Sequence, residues 1–437
     1  MLQVQAHQAK TVFIIGAGPA GLFAARLLAD HGHRVVIFNR DIKPGGLAEY
    51  GIYPTKEKMR SGLRKQFDSI LAMPNIAYFG HVHVGYDLSL ITLRSWNPAA
   101  IIVAAGAQGT KRLGIPGEDA QGVYAAKDFV YHYNGLPPFS QREYATGRRV
   151  VIVGMGNVMV DVARWLLEDD PQRKTEQVLV LARRGPFEAK FSRREFAHID
   201  KHLERHAFER ELDRIKDCLA PGEDVMRVAD ANFPIMGKPY RHLSPNLRFR
   251  FLTTPVAIHT GSNGHIRRVT LAENRLVATD KGIIPQPTGE TAEIECDALI
   301  SAIGDVVDPR LGLPVARGGY ETLPETTYES LLGIYIIGWA RKASEGLVGT
   351  TRMEAERGAT LAMQYLDRLP PCTALSFQEI AARLPSAVTK RELQLLEQAE
   401  ANEAEARGLP WFKFRDDASM RSAIAQESHL AAQAAAG

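Results

Sequence analysis

The chain has 437 residues, too many for one ordinary core, and its 45% apolar and 24% charged residues are the balance of a globular protein of two domains. A formal charge of +3 excludes the strongly basic surface that nucleic acid or an anionic membrane calls for, and no apolar run approaches bilayer-spanning length. Neither nucleic acid nor membrane is therefore an expected partner.

The opening MLQVQAHQAK has no hydrophobic signal region, and Cys218, Cys296 and Cys372 lie far apart, with no CxxC pair and no metal-ligand spacing. A cytoplasmic, reducing setting without a bound metal is expected. Disulfide-reducing chemistry is disfavoured, because it needs a paired dithiol.

Thr11–Ile15 is a short apolar run ending at GAGPAG, and an amphipathic stretch follows from Gly18 to about His31. Gly32 is placed to stop that helix, since glycine accepts the left-handed C′ conformation. Arg34–Phe38 then reads as a second buried strand, completing a βαβ unit. In its turn, Gly16 allows the bend, Gly18 lets a pyrophosphate approach the backbone, and Gly21 lets the helix pack against the strand. The phosphates would meet the unpaired N–H groups of the helix N-terminus. Asn39, with Asp41 two residues on, stands where a ribose-binding acid is expected. Its amide would bond a ribose hydroxyl more weakly than a carboxylate does.

The arrangement returns downstream. Val150–Val153 is a strand, GMGNVMVD is the turn, Val158–Leu167 is the helix, with Pro171 beyond it, and Val178–Ala182 is the next strand. The turn carries Gly154 and Gly156, with Asn157 where a third small residue is expected. After the second strand come Ala182, Arg183 and Arg184, where enzymes that prefer NADH place an acid. Two guanidiniums suit a 2′-phosphate through charge-assisted, often bidentate bonds, which points to NADPH. The stretch Arg193–Lys216 holds Arg193, Arg194, Lys201, Arg205, Arg210, Arg214 and Lys216, interleaved with acids.

Asn246–Leu276 alternates like strands around a turn at Gly261–Gly264. Ile101–Ala105 and Ala298–Ile303, ending at Gly106 and Gly304, read as strands leading from one domain to the other. Thr389 and Glu392 form a capping-box pattern before a charged helix that stops near Gly408–Pro410. The closing AAQAAAG reads as a low-complexity tail.

With these residues in view, the chain resembles the adrenodoxin reductase family, the ferredoxin–NADP+ reductases of mitochondrial type and their bacterial relatives. The likeness runs from Thr11 to about Phe414, on IIGAGPAGL, PGGL followed by YGIYP, GAQGTKRLGIPGED, DFVYHYNGLP, GNVMVDVAR, ARRGP, FRFLTTP and GWARKASEGLVGT. It implies an α/β fold with two dinucleotide-binding (Rossmann-like) domains. A discontinuous FAD domain would span 1–107 and 305–437, the second part carrying a C-terminal helical extension, with an NADP domain inserted at 108–304.

Carried over by position, the FAD contacts fall on Ala20, Asn39, Leu47, Val84, Trp339, Gly346, Leu347 and Val348. The NADPH contacts fall on Lys111, Met155, Gly156, Asn157, Val158, Arg183, Arg184 and Glu195, with Gly346 near the nicotinamide. Trp339 stands where many other two-nucleotide flavoproteins carry an aspartate. Three positions depart from the family. Asn39 replaces a glutamate, Lys111 an arginine, and Lys56 a common histidine, whose acidic partner is retained as Asp161. A His–Asp pair proposed to tune the flavin would become Lys56–Asp161, although a solvated lysine is the plainer reading of Lys56.

The activity implied is hydride transfer from NADPH to FAD, then one-electron transfer to a ferredoxin-type iron–sulfur protein. Ferredoxins are acidic, so Arg193–Lys216 is the expected docking stretch. An NADPH-supplying subunit of the glutamate synthase type shares GGL followed by YGI but adds cysteine-rich segments that this chain lacks. A flavin monooxygenase and a non-catalytic dinucleotide sensor are the other readings.

Overall fold

The structure, a computed structural model, describes residues 9–233, 246–280, 282–343, 348–370 and 372–436. The chain separates into two units. The first comprises Met1–Thr110, Tyr131–Arg142 and Gly304–Gly437; the second comprises Lys111–Val130 and Glu143–Ile303.

The first unit is built on a seven-stranded sheet. Its order is Glu329–Leu331, Ile334–Ile336, Ala100–Val103, Thr11–Ile15, Arg34–Asn39, Ile76–Gly80 and Val388–Thr389, parallel except for the two outermost strands. The apolar runs are continuous because both faces are covered, and successive side chains alternate between them. Val12, Ile14, Val35, Ile37 and Ile102 join one core with the helices Pro19–Asp30 and Val348–Leu366. Phe13, Ile15, Val36, Phe38, Ile101 and Val103 join a second, with Phe79 and Trp96. Gly32 ends the first helix with φ +81°, and the N–H groups of Gly32 and His33 return to the carbonyls of Ala29 and Leu28.

The segment Tyr131–Arg142 falls within the 108–304 stretch read from sequence as one domain, yet it belongs to the first unit. Its side chains explain this: Tyr131 and Leu136 pack with Tyr50, and Asn134 Oδ1 accepts from Arg60. The Thr389–Glu392 capping box is formed and starts the helix Lys390–Ala406. The closing alanines, read as a tail, are helical instead. Asp417–Ala436 is one helix, anchored on the core by Met420, Ala423 and Ile424.

The second unit holds a five-stranded parallel sheet, in the order Val123–Ala125, Ala298–Ser301, Arg149–Val153, Gln177–Leu181, Asn246–Arg250. Val151, Val153, Leu181 and Leu299 on one face pack with Ile258, Ile266, Val269 and Leu271 of a three-stranded antiparallel sheet, Thr253–Thr260, Ile266–Thr279 and Gly282–Glu295. The last of these strands escaped the sequence reading. It carries Pro285 and Pro287, which an edge strand tolerates because its outer N–H groups need no partner. The helix read as Val158–Leu167 is α-helical over Asn157–Arg164 and widens into a π-turn over Trp165–Asp169.

Candidate functional site

Two turns of one shape open the first βαβ of each unit. Gly16 has φ +106° and donates its N–H to Phe38 O at 2.7 Å; a Cβ there would lie 2.5 Å from Ala104 O. Gly154 has φ +116° and donates to Leu181 O at 2.9 Å; a Cβ there would lie 2.4 Å from Ala302 O. Only glycine fits either place.

Gly18 and Gly156 are the extended N-cap residues of the helices that follow, and a Cβ on either would meet no atom within 4 Å. Each therefore borders open space of the kind a pyrophosphate fills. Neither helix has a side-chain cap or an acidic residue in its first turn, so the N–H groups and the dipole's positive end remain for an anion. At the third position the turns differ. A Cβ on Gly21 would lie 2.0 Å from Gly16 O, whereas the matching residue of the second turn is Met159, fully buried, rather than Asn157. Asn157 instead accepts the Ser192 N–H at 3.0 Å.

The first unit gathers several of the expected contacts around Gly18. Gly45 donates to Ala17 O at 2.7 Å, and a Cβ on Gly46 would lie 3.2 Å from Gly18 Cα. Leu47 begins the short helix Leu47–Tyr50 and packs with Tyr50, Tyr131 and Leu136. Gly338 has φ +60°, and a Cβ on it would lie 2.8 Å from Ala20 Cβ, which puts the turn carrying Trp339 against the start of the first helix. Val84 is buried in the cluster of Phe38 and Trp96. Val348 begins the helix Val348–Leu366, while Gly346 and Leu347 lie outside the described residues.

Asn39 is buried, and its carboxamide serves the protein. Oδ1 accepts the Ala17 N–H at 3.0 Å, and Nδ2 lies 2.8 Å from Asp41 O, 3.0 Å from Lys43 O and 3.1 Å from Tyr78 Oη. Three acceptors share two hydrogens, so the amide donates to the loop that it braces rather than outward to a ribose. This role was not legible in the sequence.

Below the Gly45–Leu47 loop lies a charge network that the sequence reading missed. Glu49 takes Arg64 in a two-pronged bond, at 2.7 and 3.0 Å, and also pairs with Lys413; Lys43 pairs with Glu400. Burial by itself would raise the Glu49 carboxyl, but Lys413, Lys43 and Arg64 together hold it well below the usual carboxylate range. Burial outweighs the attraction of Glu49 for Lys413, whose ammonium is pushed down to about 8.

Lys56 ends the turn Pro54–Lys56 and is half-buried rather than freely solvated. It belongs to the first unit; Asp161, half-buried on the helix Asn157–Arg164, belongs to the second.

In the second unit, Met155 O accepts the Lys190 N–H at 2.9 Å, Val158 is exposed beside the turn, and Lys111 is exposed. The arginine pair follows the strand Gln177–Leu181 on a pinned backbone. Arg183 O accepts Asn274 Nδ2 at 3.3 Å, and Arg184 O accepts the Leu252 N–H at 3.2 Å. Arg183 is exposed. Arg184 is half-buried, with a buried Nε that has no hydrogen-bond partner among the described residues. Glu195 lies in the helix Arg193–Phe196, where its N–H caps on Ser192.

The stretch Arg193–Lys216 is less uniformly basic in space than in sequence. Arg214 is held by Glu211 and Glu273, Arg193 by the carbonyls of Ala229 and Ala231, Lys201 by Glu168 and Lys216 by Asp213. Arg210 stays exposed, with Glu204 at 3.8 Å. Cys218, Cys296 and Cys372 are free, and burial pushes the Cys296 thiol up to about 12. Among the described residues no helix is long and apolar enough to cross a membrane, and no cluster of potential metal ligands occurs.

Parallel sheets carrying glycine turns of this form are those of an α/β nucleotide-binding protein. Residues 10–212 match the family described as pyridine nucleotide-disulphide oxidoreductase. The chain is 31% identical to the NADPH-ferredoxin reductase FprA of Mycobacterium tuberculosis, over 92% of this chain and 96% of that protein. It is 27% identical to the mitochondrial NADPH:adrenodoxin oxidoreductase of Bos taurus, over 95% and 92%. The solved structure of Mycobacterium tuberculosis FprA in complex with NADPH superposes with a TM-score of 0.81 at 27% identity, covering 96% of this chain and all of the other. The chain belongs to the adrenodoxin reductase family, flavoprotein oxidoreductases that use FAD and NADPH.

Proposed function

We propose that this enzyme is an FAD-dependent NADPH:ferredoxin oxidoreductase, with FAD held by the discontinuous first unit and NADPH by the inserted second unit. The observation that carries the assignment is the same anion-binding turn built twice, with a pair of arginines after the second turn only. The relatives' names support ferredoxin as the acceptor and speak against the glutamate synthase and monooxygenase readings. Three free cysteines support a reducing, cytoplasmic setting.

FAD, when bound, supplies the chemistry of accepting a hydride and releasing electrons singly. The chain's own work is binding and placement. Gly16, Gly18 and Gly21 shape the turn for the FAD pyrophosphate, while Asn39 stiffens it from behind. Ala20, Leu47, Val84, Trp339, Gly346, Leu347 and Val348 complete that site. Gly154, Met155, Gly156, Asn157 and Val158 take the NADPH pyrophosphate. Arg183 and Arg184 take the 2′-phosphate, with Lys111 and Glu195 alongside. Lys56 and Asp161 are the two charged side chains assigned a place in the chemistry itself.

The turns give a direct test. Gly18→Val starts into open space, since a Cβ there meets no atom within 4 Å, and its branched side chain is expected to fill the pyrophosphate's place. The expected product is a folded, colourless protein that still binds 2′,5′-ADP. Gly156→Val should stay yellow, yet its flavin band should no longer bleach with anaerobic NADPH at concentrations saturating the parent. The opposite colours would reverse the assignment of cofactors to units.

Acceptor docking is tested on the helix Arg205–Ile215, where Arg210 is exposed. Charge reversal of Arg205 and Arg210 is expected to raise the KM for ferredoxin several-fold at low salt, and less at high salt, with ferricyanide reduction unchanged. An unaltered KM would remove Arg193–Lys216 as the docking stretch.

A further inference from the structure

Both backbone carbonyls of the arginine pair are held by groups from far along the chain. Arg184 O accepts the Leu252 N–H at 3.2 Å, and Arg183 O accepts Asn274 Nδ2 at 3.3 Å. The two holders are themselves joined, since the Asn274 N–H donates to Leu252 O at 2.7 Å. One residue earlier, Ala182 O accepts the Thr253 N–H at 2.9 Å.

Leu252 is not relaxed in this arrangement. It lies between the strands Asn246–Arg250 and Thr253–Thr260, is almost fully buried and has φ +49°. A leucine keeps that left-handed conformation only where its surroundings impose it. Here they do. The helix Arg205–Ile215 grips both polar backbone groups of Phe251: Glu211 Oε1 accepts its N–H at 2.6 Å, and Arg214 Nη2 donates to its carbonyl at 2.7 Å. Arg214 is fixed in turn, with the Glu211 oxygens at 2.8 and 2.9 Å and Glu273 at 2.7 Å.

Glu273 and Asn274 are consecutive and both buried, at a break in the pairing of the strand Ile266–Thr279 with Gly282–Glu295. Such irregularities re-aim side chains beside functional sites. The Asn274 amide also lies 2.9 Å from Thr254 Oγ1, so both of its hydrogens have acceptors. A buried carboxamide costs free energy unless it is bonded, and this one spends a bond on the backbone of Arg183.

We propose that Asn274 and Arg214 are positioning residues of the 2′-phosphate site. Directly and through Leu252, they hold the Arg183–Arg184 backbone in the form that lets two guanidiniums meet one phosphate. This role rests on the reading of those arginines as the phosphate's ligands, and it adds two residues outside that contact set. The physical gain is preorganisation: a side chain on a fixed backbone has less freedom left to lose on binding. The clasp acts on the arginines, whereas Gly154 of the glycine turn has its own bond to Leu181 O at 2.9 Å. Loosening the clasp should therefore weaken nucleotides that carry a 2′-phosphate and spare those that do not.

The probe is 2′,5′-ADP, with 5′-AMP as the control lacking the 2′-phosphate, titrated calorimetrically into the holoenzyme. Asn274→Leu keeps the branched shape and the backbone bond to Leu252 but removes both amide bonds. Its affinity for 2′,5′-ADP should fall about fivefold, the weight of one neutral hydrogen bond, with 5′-AMP bound as by the parent. Arg214→Met releases Phe251 O while Glu211 stays on its N–H, and should show the same selective loss to a smaller degree. It decides the matter if Asn274→Leu fails to fold. In steady-state ferricyanide reduction, KM for NADPH should rise in both variants with KM for NADH unchanged, a split that general loosening would not produce.

Parent-like binding of 2′,5′-ADP by the folded variants, with Arg184→Gln still weakening it, would overturn the positioning role and leave the arginine reading standing. An equal loss for 2′,5′-ADP and 5′-AMP would overturn it too, as the mark of a merely structural change. Equal affinity of the parent and the Arg183→Gln, Arg184→Gln double variant for 2′,5′-ADP would overturn both readings.

Discussion

Replacing Arg183 and Arg184 together by glutamine is expected to raise the KM for NADPH by about two orders of magnitude, with KM for NADH changed by less than about twofold. A hydrogen bond to a charged group contributes roughly 1.5–3 kcal/mol, so each lost guanidinium accounts for about a tenfold effect or more. The nucleotide's remaining contacts, which NADH shares, are untouched. Of the single variants, Arg184→Gln should cost more than Arg183→Gln. Arg184 is half-buried, with its backbone fixed by the Leu252 N–H and an Nε left unpartnered, whereas Arg183 is exposed and must give up more freedom to bind. The measurement is steady-state ferricyanide reduction with each nucleotide, which takes the ferredoxin out of the assay. An unchanged ratio of kcat/KM for NADPH over NADH in the double variant would mean that the 2′-phosphate lies elsewhere.

The place of Arg183 and Arg184, directly after a strand, was legible in the sequence because a short apolar run at a fixed offset from a glycine turn is local grammar that survives folding. The turn positions Gly16 and Gly154 were legible for the same reason: a backbone that must adopt positive φ has one residue to use. What stayed hidden depended on contacts between distant parts of the chain. Asn39 read as a weakened ribose ligand, and only its three-dimensional neighbours Ala17, Lys43 and Tyr78 reveal a brace. The closing alanines looked structureless because alanine has little to bury, yet Met420 and Ile424 earlier in that helix supply the anchor. The strand Gly282–Glu295 was masked by prolines that its edge position makes harmless. Glu49 gave no local signal at all, since its partners Arg64 and Lys413 lie 15 and 364 residues away.

That last contact should be the most costly to break. Glu49→Gln is expected to destabilise the first unit by about 3–5 kcal/mol, because it strands the buried Lys413 without its counter-charge and leaves Arg64 with Glu57 alone, while Lys43 keeps Glu400. For a unit of this size the apparent Tm should fall by roughly 10 °C. The pH dependence should change as well. In the parent, the Glu49 carboxyl sits below its ordinary range, so the stability it contributes is present above that range and is lost as pH falls through it. In Glu49→Gln, Lys413 loses its main attraction, and an ammonium already pushed down to about 8 drops further. Folding must then strip a proton from Lys413, at a cost that grows as pH falls. The Tm deficit should accordingly be larger at pH 6 than at pH 8. Adding Lys413→Met to Glu49→Gln should recover part of the loss, since the stranded cation goes with it. Thermal unfolding followed by release of flavin fluorescence reads all three proteins. A Glu49→Gln variant within 2 °C of the parent at both pH values would show that Arg64 and Lys413 find other partners, and that the network does not hold the Gly45–Leu47 loop in place.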